Sequence, residues 1–347
     1  MTKIDYKSAG VDLDASDEAI RRIREKARTS FTPAVLADVG TFGALVDLKE
    51  VLKDYRQPVL VQSMDGVGTK MIVARMMGTY DTIGFDLLSA TCNDIVVHGA
   101  RPFTFLDYIA NDRLNPEVIE SIVSGIVSAC REVGVALVGG ETAEMPDTYL
   151  PGEHDLVGTV TGIAEKDRLI RGDTIRPGDV LLGFASSGLH TNGYSLARKL
   201  LFDAGKFHVD SRHPDLEGTV GEALLKPHVN YTKPVQALLD ARLPVKGMAH
   251  ITGGGLPGNI LRILPLGCVA EIKKGSWPVM PLFALLQGLG RLDDRDMFRT
   301  FNMGIGLVMV VEPASAQQVV RVIQQFRTYH VYEIGTVIQG NHKVELV

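Results

Sequence analysis

Segments with the alternating period of a strand and segments with the 3.6-residue period of a helix follow one another along this chain without an internal repeat. That mixture limits the fold more than any other feature. A sheet and a helix each have an apolar face to bury, so each half is most simply a sheet with helices packed on it. In the first half, strand-like segments at 58–63, 102–109, 135–138 and 156–164 are interleaved with a charged helix-prone segment at 17–28 and a buried helix at 85–99. A further helix opens at Asn115-Pro116, a capping residue followed by proline, and carries the apolar stripe Val118, Ile119, Ile122, Val123, Ile126, Val127 and Cys130.

Residues 165–179 hold eight charged residues, two glycines and a proline, the composition of a connection between domains. A boundary at residue 170 is expected, giving domains 1–170 and 171–347. The second half reads as a strand at 180–185, a loop at 186–193 and a helix at 194–202. A helix near 235–241, strands at 269–272 and 307–311, a helix at 315–326 and terminal strands near 333–338 and 343–347 complete it. The 347 residues suffice for two cores. Net charge is −5, so no global basic field points to nucleic acid, and an anionic substrate must be held by local groups. Cys92, Cys130 and Cys268 lie far apart in apolar stretches, as buried thiols of a reducing compartment do. The polar N-terminus and the lack of a long apolar run predict a cytoplasmic protein with no membrane contact.

The candidate chemistry begins where the strand at 58–63 ends, with Asp65-Gly66-Val67-Gly68-Thr69-Lys70. Glycines let backbone N–H groups approach anionic oxygens, lysine adds positive charge, and aspartate can hold Mg²⁺ through oxygen. This is equipment for a metal-bound polyphosphate; a tight turn with Lys70 in solvent is the other reading. Asp65, Asp86, Asp94, Glu141 and Glu144 sit in apolar or glycine-rich surroundings, where a carboxylate is costly unless paired or bound to a cation. A shared Mg²⁺ on Asp65, Asp94 and Glu141 accounts for three of them; taken singly, each could instead cap a helix or pair with a base. On the helix at 85–99, Asp86 and Asn93 share a face, with Asp94 about 100° round from Asn93.

In the second half, Ser186, Ser187, Gly188, His190, Thr191, Asn192 and Gly193 gather hydroxyls, an amide and an imidazole between a strand and a helix start, where an anion is well received. His250-Ile251-Thr252-Gly253-Gly254-Gly255 forms a second such loop, and a histidine leading into three glycines more plausibly faces a ligand than a packed core. His190 stays open between structure and function, and the other seven histidines are expected at the surface. No GxxxxGK[ST] occurs. Gly253, Gly255 and Gly258 satisfy GxGxxG, but Pro265 leaves only about six residues for the helix that a dinucleotide-binding crossover requires.

Jointly, the residues resemble one family. Residues 6–12 (YKSAGVD), DGVGTK at 65–70, Asn93-Asp94, GGETAEMP at 139–146, SSGLHTNGYSL at 186–196, HITGGG at 250–255 and RTFNMG at 299–304 are similar, in that order and over nearly the full length, to phosphoribosylformylglycinamidine cyclo-ligases, or AIR synthetases. The resemblance implies an α+β protein with two domains of mixed sheet and packed helices, whose N-terminal sheets pair into a barrel across a homodimer. It implies ATP with Mg²⁺ as cofactors and formylglycinamidine ribonucleotide as substrate, cyclised to aminoimidazole ribonucleotide in purine synthesis. Gly66, Gly68, Thr69 and Lys70 would take the ATP phosphates, and Asp65, Asp94 and Glu141 the metal. Ser186, Ser187, Gly188, Asn192, Gly193, Thr252, Gly253 and Gly254 would hold substrate, with His250 and His190 catalytic. Arg24 stands where relatives often carry lysine, and Asp38 and Thr41 where the family often has glycine. A small-molecule kinase or dehydratase of the same architecture is the nearer alternative; a non-catalytic nucleotide-binding subunit is the more distant one.

Overall fold

The computed structural model describes residues 12–347; residues 6–11, most of the first family motif, lie outside them. The chain divides into two compact units, Met1–Cys92 with Pro102–Ile163, and Asn93–Arg101 with Ala164–Val347. Helix α4 is cut by that division, so its last turn, with Asn93 and Asp94, belongs to the second unit.

The first unit opens with α1 (Leu13–Ala27), capped by the Asp12 carboxylate, and α2 (Leu48–Leu52). Then come β1 (Pro58–Gly66), α3 (Lys70–Met77), α4 (Asp81–Val96), β2 (Arg101–Asn111), α5 (Pro116–Val133), β3 (Ala136–Glu144) and β4 (His154–Glu165). The strands form one sheet in the order β1-β4-β2-β3, with β2 and β3 parallel and Tyr108 opposite Glu141. Asn115 caps α5 through its side chain, as its sequence predicts, and the expected stripe is buried at Ile119, Ile122, Val123, Ile126 and Cys130. Helices α4 and α5 touch through backbone: a Cβ on Gly84 would fall 1.9 Å from the Ile122 carbonyl oxygen, and one on Gly125 1.8 Å from that of Asp81. Alanine at either position would push the helices apart.

The second unit contains β5 (Val180–Ala185), α6 (Tyr194–Arg198), α7 (Val220–Leu224), α8 (Thr232–Asp240), β6 (Val245–His250), α9 (Gly255–Leu261), β7 (Cys268–Ile272), α10 (Pro281–Gly290), α11 (Asp294–Thr300), β8 (Ile305–Val311), α12 (Pro313–Ile323), β9 (Val331–Gln339) and β10 (Lys343–Leu346). Its six strands run β10-β7-β9-β5-β8-β6, with only β7 and β10 parallel among the printed neighbours. Every residue of β8 is buried, which is why IGLVMVV is a continuous apolar run rather than an alternating one. Phe184, Leu307 and Met309 from the sheet pack with Tyr231, Val235 and Leu238 of the α8 region and with Val319 and Ile323 of α12.

Three departures from the sequence reading have local causes. The helix expected at 194–202 is α-helical only to Arg198 and continues as a π turn, Lys199–Ala204. Helix α3 begins at Lys70, inside what reads as a turn, because Gly68 takes φ 56° and reverses the chain directly into it. Helices α10 and α11 were not anticipated; α10 is apolar nearly all round and holds two glycines. The GxGxxG match is excluded by topology, since β6 is an edge strand paired antiparallel to β8 and α9 is seven residues long. Among the described residues no helix is long and apolar enough to cross a membrane.

Candidate active site

Within the second unit, four segments converge: the loop after β5, the link between α7 and α8, the end of β6 with its glycine turn, and the last turn of α4. They bring together His190, His228 and His250, all buried, with ring nitrogens within 4.8 Å of one another. His250 Nδ1 lies 2.8 Å from Asp94 Oδ1, and its Nε2 lies 3.0 Å from His228 Nε2. His228 Nδ1 is 3.4 Å from Thr191 Oγ1. His190 Nε2 accepts from the backbone N–H groups of Ser187 (3.3 Å) and Val229 (3.4 Å). An Nε2 that accepts two amides must be unprotonated, which leaves the proton of a neutral His190 on Nδ1.

The surroundings keep these rings in place. Asn93 donates from Nδ2 to the Val229 carbonyl at 2.8 Å and accepts at Oδ1 from the Tyr231 N–H at 2.8 Å, clamping the segment that carries His228. The next residue, Asp94, holds His250, so adjacent positions of α4 fix two of the three histidines. Tyr231 Oη donates to the Ala185 carbonyl at 2.7 Å. A Cβ on Gly306 would lie 2.2 Å from that Oη and 2.4 Å from His190 Cε1, so the strand beneath the rings must be glycine there. His190 itself has φ 61°, a left-handed conformation uncommon outside glycine.

Three neighbouring imidazoles suggest a transition-metal site, but the ring geometry argues otherwise. His190 and His228 are stacked, with centroids 3.9 Å apart and planes 24° from parallel. Imidazole lone pairs lie in the ring plane, so stacked rings cannot aim them at one ion. The cluster is a hydrogen-bonded chain.

The predicted substrate residues around it are partly committed to the fold. Ser186 Oγ donates to the Gly188 carbonyl at 2.9 Å, Ser187 Oγ donates to the Pro227 carbonyl, and Asn302 Nδ2 donates to the Gly188 carbonyl at 2.8 Å. Those serines therefore brace the loop with their hydroxyl protons. Asn192 is half-buried at the loop's side, and Gly193 turns the chain into α6 at φ 79°. Beyond His250, Asn259 Nδ2 reaches the carbonyls of Thr252, Gly253 and Gly255 at 3.2, 3.3 and 2.8 Å, and Gly254 takes φ 95°. One amide thus ties the glycine turn that follows the catalytic candidate.

In the first unit, the DGVGTK turn has an exposed and a buried part. Asp65 is exposed, with Oδ1 accepting from the Gly66 N–H at 2.7 Å, and Gly68 and Thr69 are exposed. Gly68 and Thr69 open on a cavity of about 300 Å³ that Arg75, Tyr149, Glu153, His154 and Asp155 also line. Lys70 does not stand in solvent. It is 0% exposed, its Nζ 2.6 Å from Oδ2 of an equally buried Asp86. Burial pushes the Lys70 ammonium's pKa down, and the Asp86 carboxylate opposes that. Its charge is paired where it sits, so the alternative reading of Lys70 as a solvated side chain is corrected.

The five carboxylates singled out from sequence also separate. Asp65 and Glu141 are exposed and Asp94 is 34% exposed, whereas only Asp86 is sealed. Glu144 accepts the Asp12 N–H at 2.7 Å and the Leu114 N–H at 2.8 Å, a structural clasp. Asp65 and Glu141 occupy the two edge strands of their sheet with β4 and β2 between, roughly 14 Å measured along the sheet at ordinary strand spacing. The departures at 24 and 38 belong together: Arg28 ion-pairs with Asp38, and Arg24 Nε donates to the Val39 carbonyl at 3.0 Å. His228 is the residue that sequence reasoning missed, placed among surface histidines and found wholly buried. Nothing around Pro227-His228-Val229 marks it, because His250 and Thr191, to which it hydrogen-bonds, are 22 and 37 positions away.

The fold and site define a two-domain protein of the AIR synthase class: residues 47–164 match the family described as AIR synthase related protein, N-terminal domain, and 176–347 match its C-terminal domain. More narrowly, the chain belongs to the phosphoribosylformylglycinamidine cyclo-ligase family of enzymes. It is 48% identical over 335 residues to the enzyme of that name from Geobacillus thermodenitrificans, covering 96% of each chain. With that from Carboxydothermus hydrogenoformans it shares 44% over 344 residues, 99% of each. Two solved structures share the fold at low identity. The hydrogenase maturation protein HypE of E. coli has a TM-score of 0.66 at 21% identity, covering 94% of this chain and 92% of that one. Thiamine-monophosphate kinase from Stenotrophomonas maltophilia has a TM-score of 0.67 at 19% identity, covering 95% of each.

Proposed function

We propose that this chain catalyses the ATP-dependent cyclisation of formylglycinamidine ribonucleotide to aminoimidazole ribonucleotide, releasing ADP and phosphate, in purine biosynthesis. The observation that carries the reading is 44 to 48% identity over nearly the whole chain to curated cyclo-ligases. The kinase or dehydratase alternative has beside it only likenesses near 20% identity, which carry the fold alone.

In this reaction the formyl oxygen attacks the γ-phosphate of ATP to give an iminophosphate. A substrate nitrogen then closes the imidazole ring and expels phosphate, a far better leaving group than oxide. Such chemistry asks the protein for placement and charge compensation. The exposed turn at Gly66, Gly68 and Thr69 and the cavity beside it suit the nucleotide phosphates, and Lys70 serves them by holding the start of α3 against Asp86. Asp65, Asp94 and Glu141 are the magnesium ligands in this reading, oxygen donors at solvent-reaching positions that suit a hard cation. The ion, when bound, neutralises charge developing on the transferred phosphoryl group.

His250 is enclosed, 3% exposed, with Asp94 and His228 on its two nitrogens, so it acts as a proton-holding group rather than a direct clamp on the formyl oxygen. Asn192, Gly193 and the backbone of residues 186–188 and 252–254 take the substrate. We further propose a homodimer through the N-terminal sheets, supported by apolar Leu60, Met64 and Leu106 exposed at 57%, 70% and 42%; Glu141 would then come from the second copy. Sedimentation returning only a monomer removes that part.

The test is to supply formylglycinamidine ribonucleotide and Mg-ATP and to follow phosphate release together with imidazole formation. Equal amounts of both are expected; a phosphorylated acceptor without imidazole would sink the assignment. His250→Ala should lower kcat by about 10²- to 10⁴-fold while the folded chain persists by circular dichroism.

A further inference from the structure

We propose that His228 is a positioning residue for this reaction: its Nε2 is hydrogen-bonded to His250 Nε2 and holds that ring against Asp94. The proposal rests on the cyclo-ligase reading for its catalytic consequence, but its structural part stands alone.

Two lone pairs cannot face each other at 3.0 Å, so one of the two Nε2 atoms of His228 and His250 carries a proton and donates it to the other. On its other side His250 Nδ1 lies 2.8 Å from Asp94 Oδ1, and His228 Nδ1 lies 3.4 Å from the Thr191 hydroxyl, which can donate or accept. The His250 ring is thus held at both nitrogens, by Asp94 and by His228.

The site is built rather than incidental. His228 is wholly buried, stacked on His190, and its chain segment is gripped by both ends of the Asn93 amide and by Ser187 Oγ on the Pro227 carbonyl. Without the His228 nitrogen, His250 keeps its Asp94 contact on one side only, and the ring is less firmly held.

Selective ¹⁵N-histidine labelling of the wild-type chain tests the hydrogen bond without any variant. Long-range ¹⁵N–¹H spectra should show a proton on one of the two facing Nε2 atoms and none on the other. Two unprotonated Nε2 atoms, or a proton on each, overturn the proposal. For the catalytic part, His228→Phe keeps bulk and stacking but removes the hydrogen bond, and His228→Gln restores a polar group at similar reach. His228→Phe should lose about 10- to 100-fold in kcat with KM within twofold, and the His250 Nδ1 resonance should broaden or move. His228→Gln should recover kcat to within about fivefold and restore that resonance. A packing role would leave the resonance unmoved and kcat near wild type in His228→Phe, and that result rejects positioning. If wild-type protein forms no imidazole, the functional reading fails while the spectra still decide the hydrogen bond.

Discussion

The two units each bury titratable groups beside a glycine turn, and they do it in opposite ways. In the first, Lys70 and Asp86 form an ion pair with both side chains at 0% exposure. In the second, Asp94, His250 and His228 form a hydrogen-bonded chain that starts on a carboxylate 34% exposed and ends at a half-buried threonine. A sealed pair spends both charges on each other and fixes a helix start. A chain with an open end can pass an orientation, or a proton, to something bound outside it. Burial of charge is therefore no guide to chemistry by itself; what matters is whether one end of the network reaches a ligand.

The strongest way to break this contrast is to cut the sealed pair. Lys70→Met strands a carboxylate with no water, so a loss of about 3–5 kcal/mol in unfolding free energy is expected from urea titration. Lys70→Met with Asp86→Leu removes both charges and should regain most of that loss. If the double variant also turns over substrate at a fair rate, the pair is purely structural. A double variant that folds well yet fails to bind Mg-ATP would return Lys70 to the phosphates.

A smaller effect sharpens the other side. Asn93→Ala leaves the Val229 carbonyl and the Tyr231 N–H without their partner inside the protein, at roughly 1–3 kcal/mol. Because that segment carries His228, kcat should fall together with stability. His228→Gln, by contrast, should spare both. Equal kinetic losses in the two variants would mean that the segment acts by packing alone.

How much of this was legible in the sequence follows the same division between local and distant causes. Strands β1, β2, β4, β5 and β8 and helices α5 and α12 were readable because period, cap and apolar stripe lie within one stretch of chain. The loops at 65–70, 186–193 and 250–255 were readable for a similar reason, since a glycine turn announces itself locally. Lys70 was misjudged because sixteen positions and a helix separate it from Asp86, and exposure cannot be inferred from a residue's neighbours in sequence. Asp65 and Glu141 are the reverse case: their apolar and glycine-rich flanks belong to edge strands, and both residues are exposed there. His228 was invisible because residues 190, 191 and 250, which it meets, lie far from it in sequence.

Asp107 gives the comparison a third term and its mildest test. It lies on β2 opposite Gly140, where a Cβ would come within 2.1 Å of its Oδ1, and no ion pair among the described residues reaches it. Lacking a Lys70 of its own, the carboxyl settles by keeping its proton: burial pushes it up to about 7. The folded value is thus raised above the unfolded one near 4, so its contribution to stability is complete below about pH 4 and is lost as pH rises through 7. Between pH 6 and 7 the wild-type chain should lose about 1 kcal/mol from this group, read as a falling urea midpoint. Asp107→Asn cannot ionise, so its midpoint should be flatter across the same interval and exceed the wild-type trend at pH 8. Parallel curves for the two proteins would mean that Asp107 is charged in the folded state, and that the first unit tolerates a buried carboxylate without the cation that Asp86 requires.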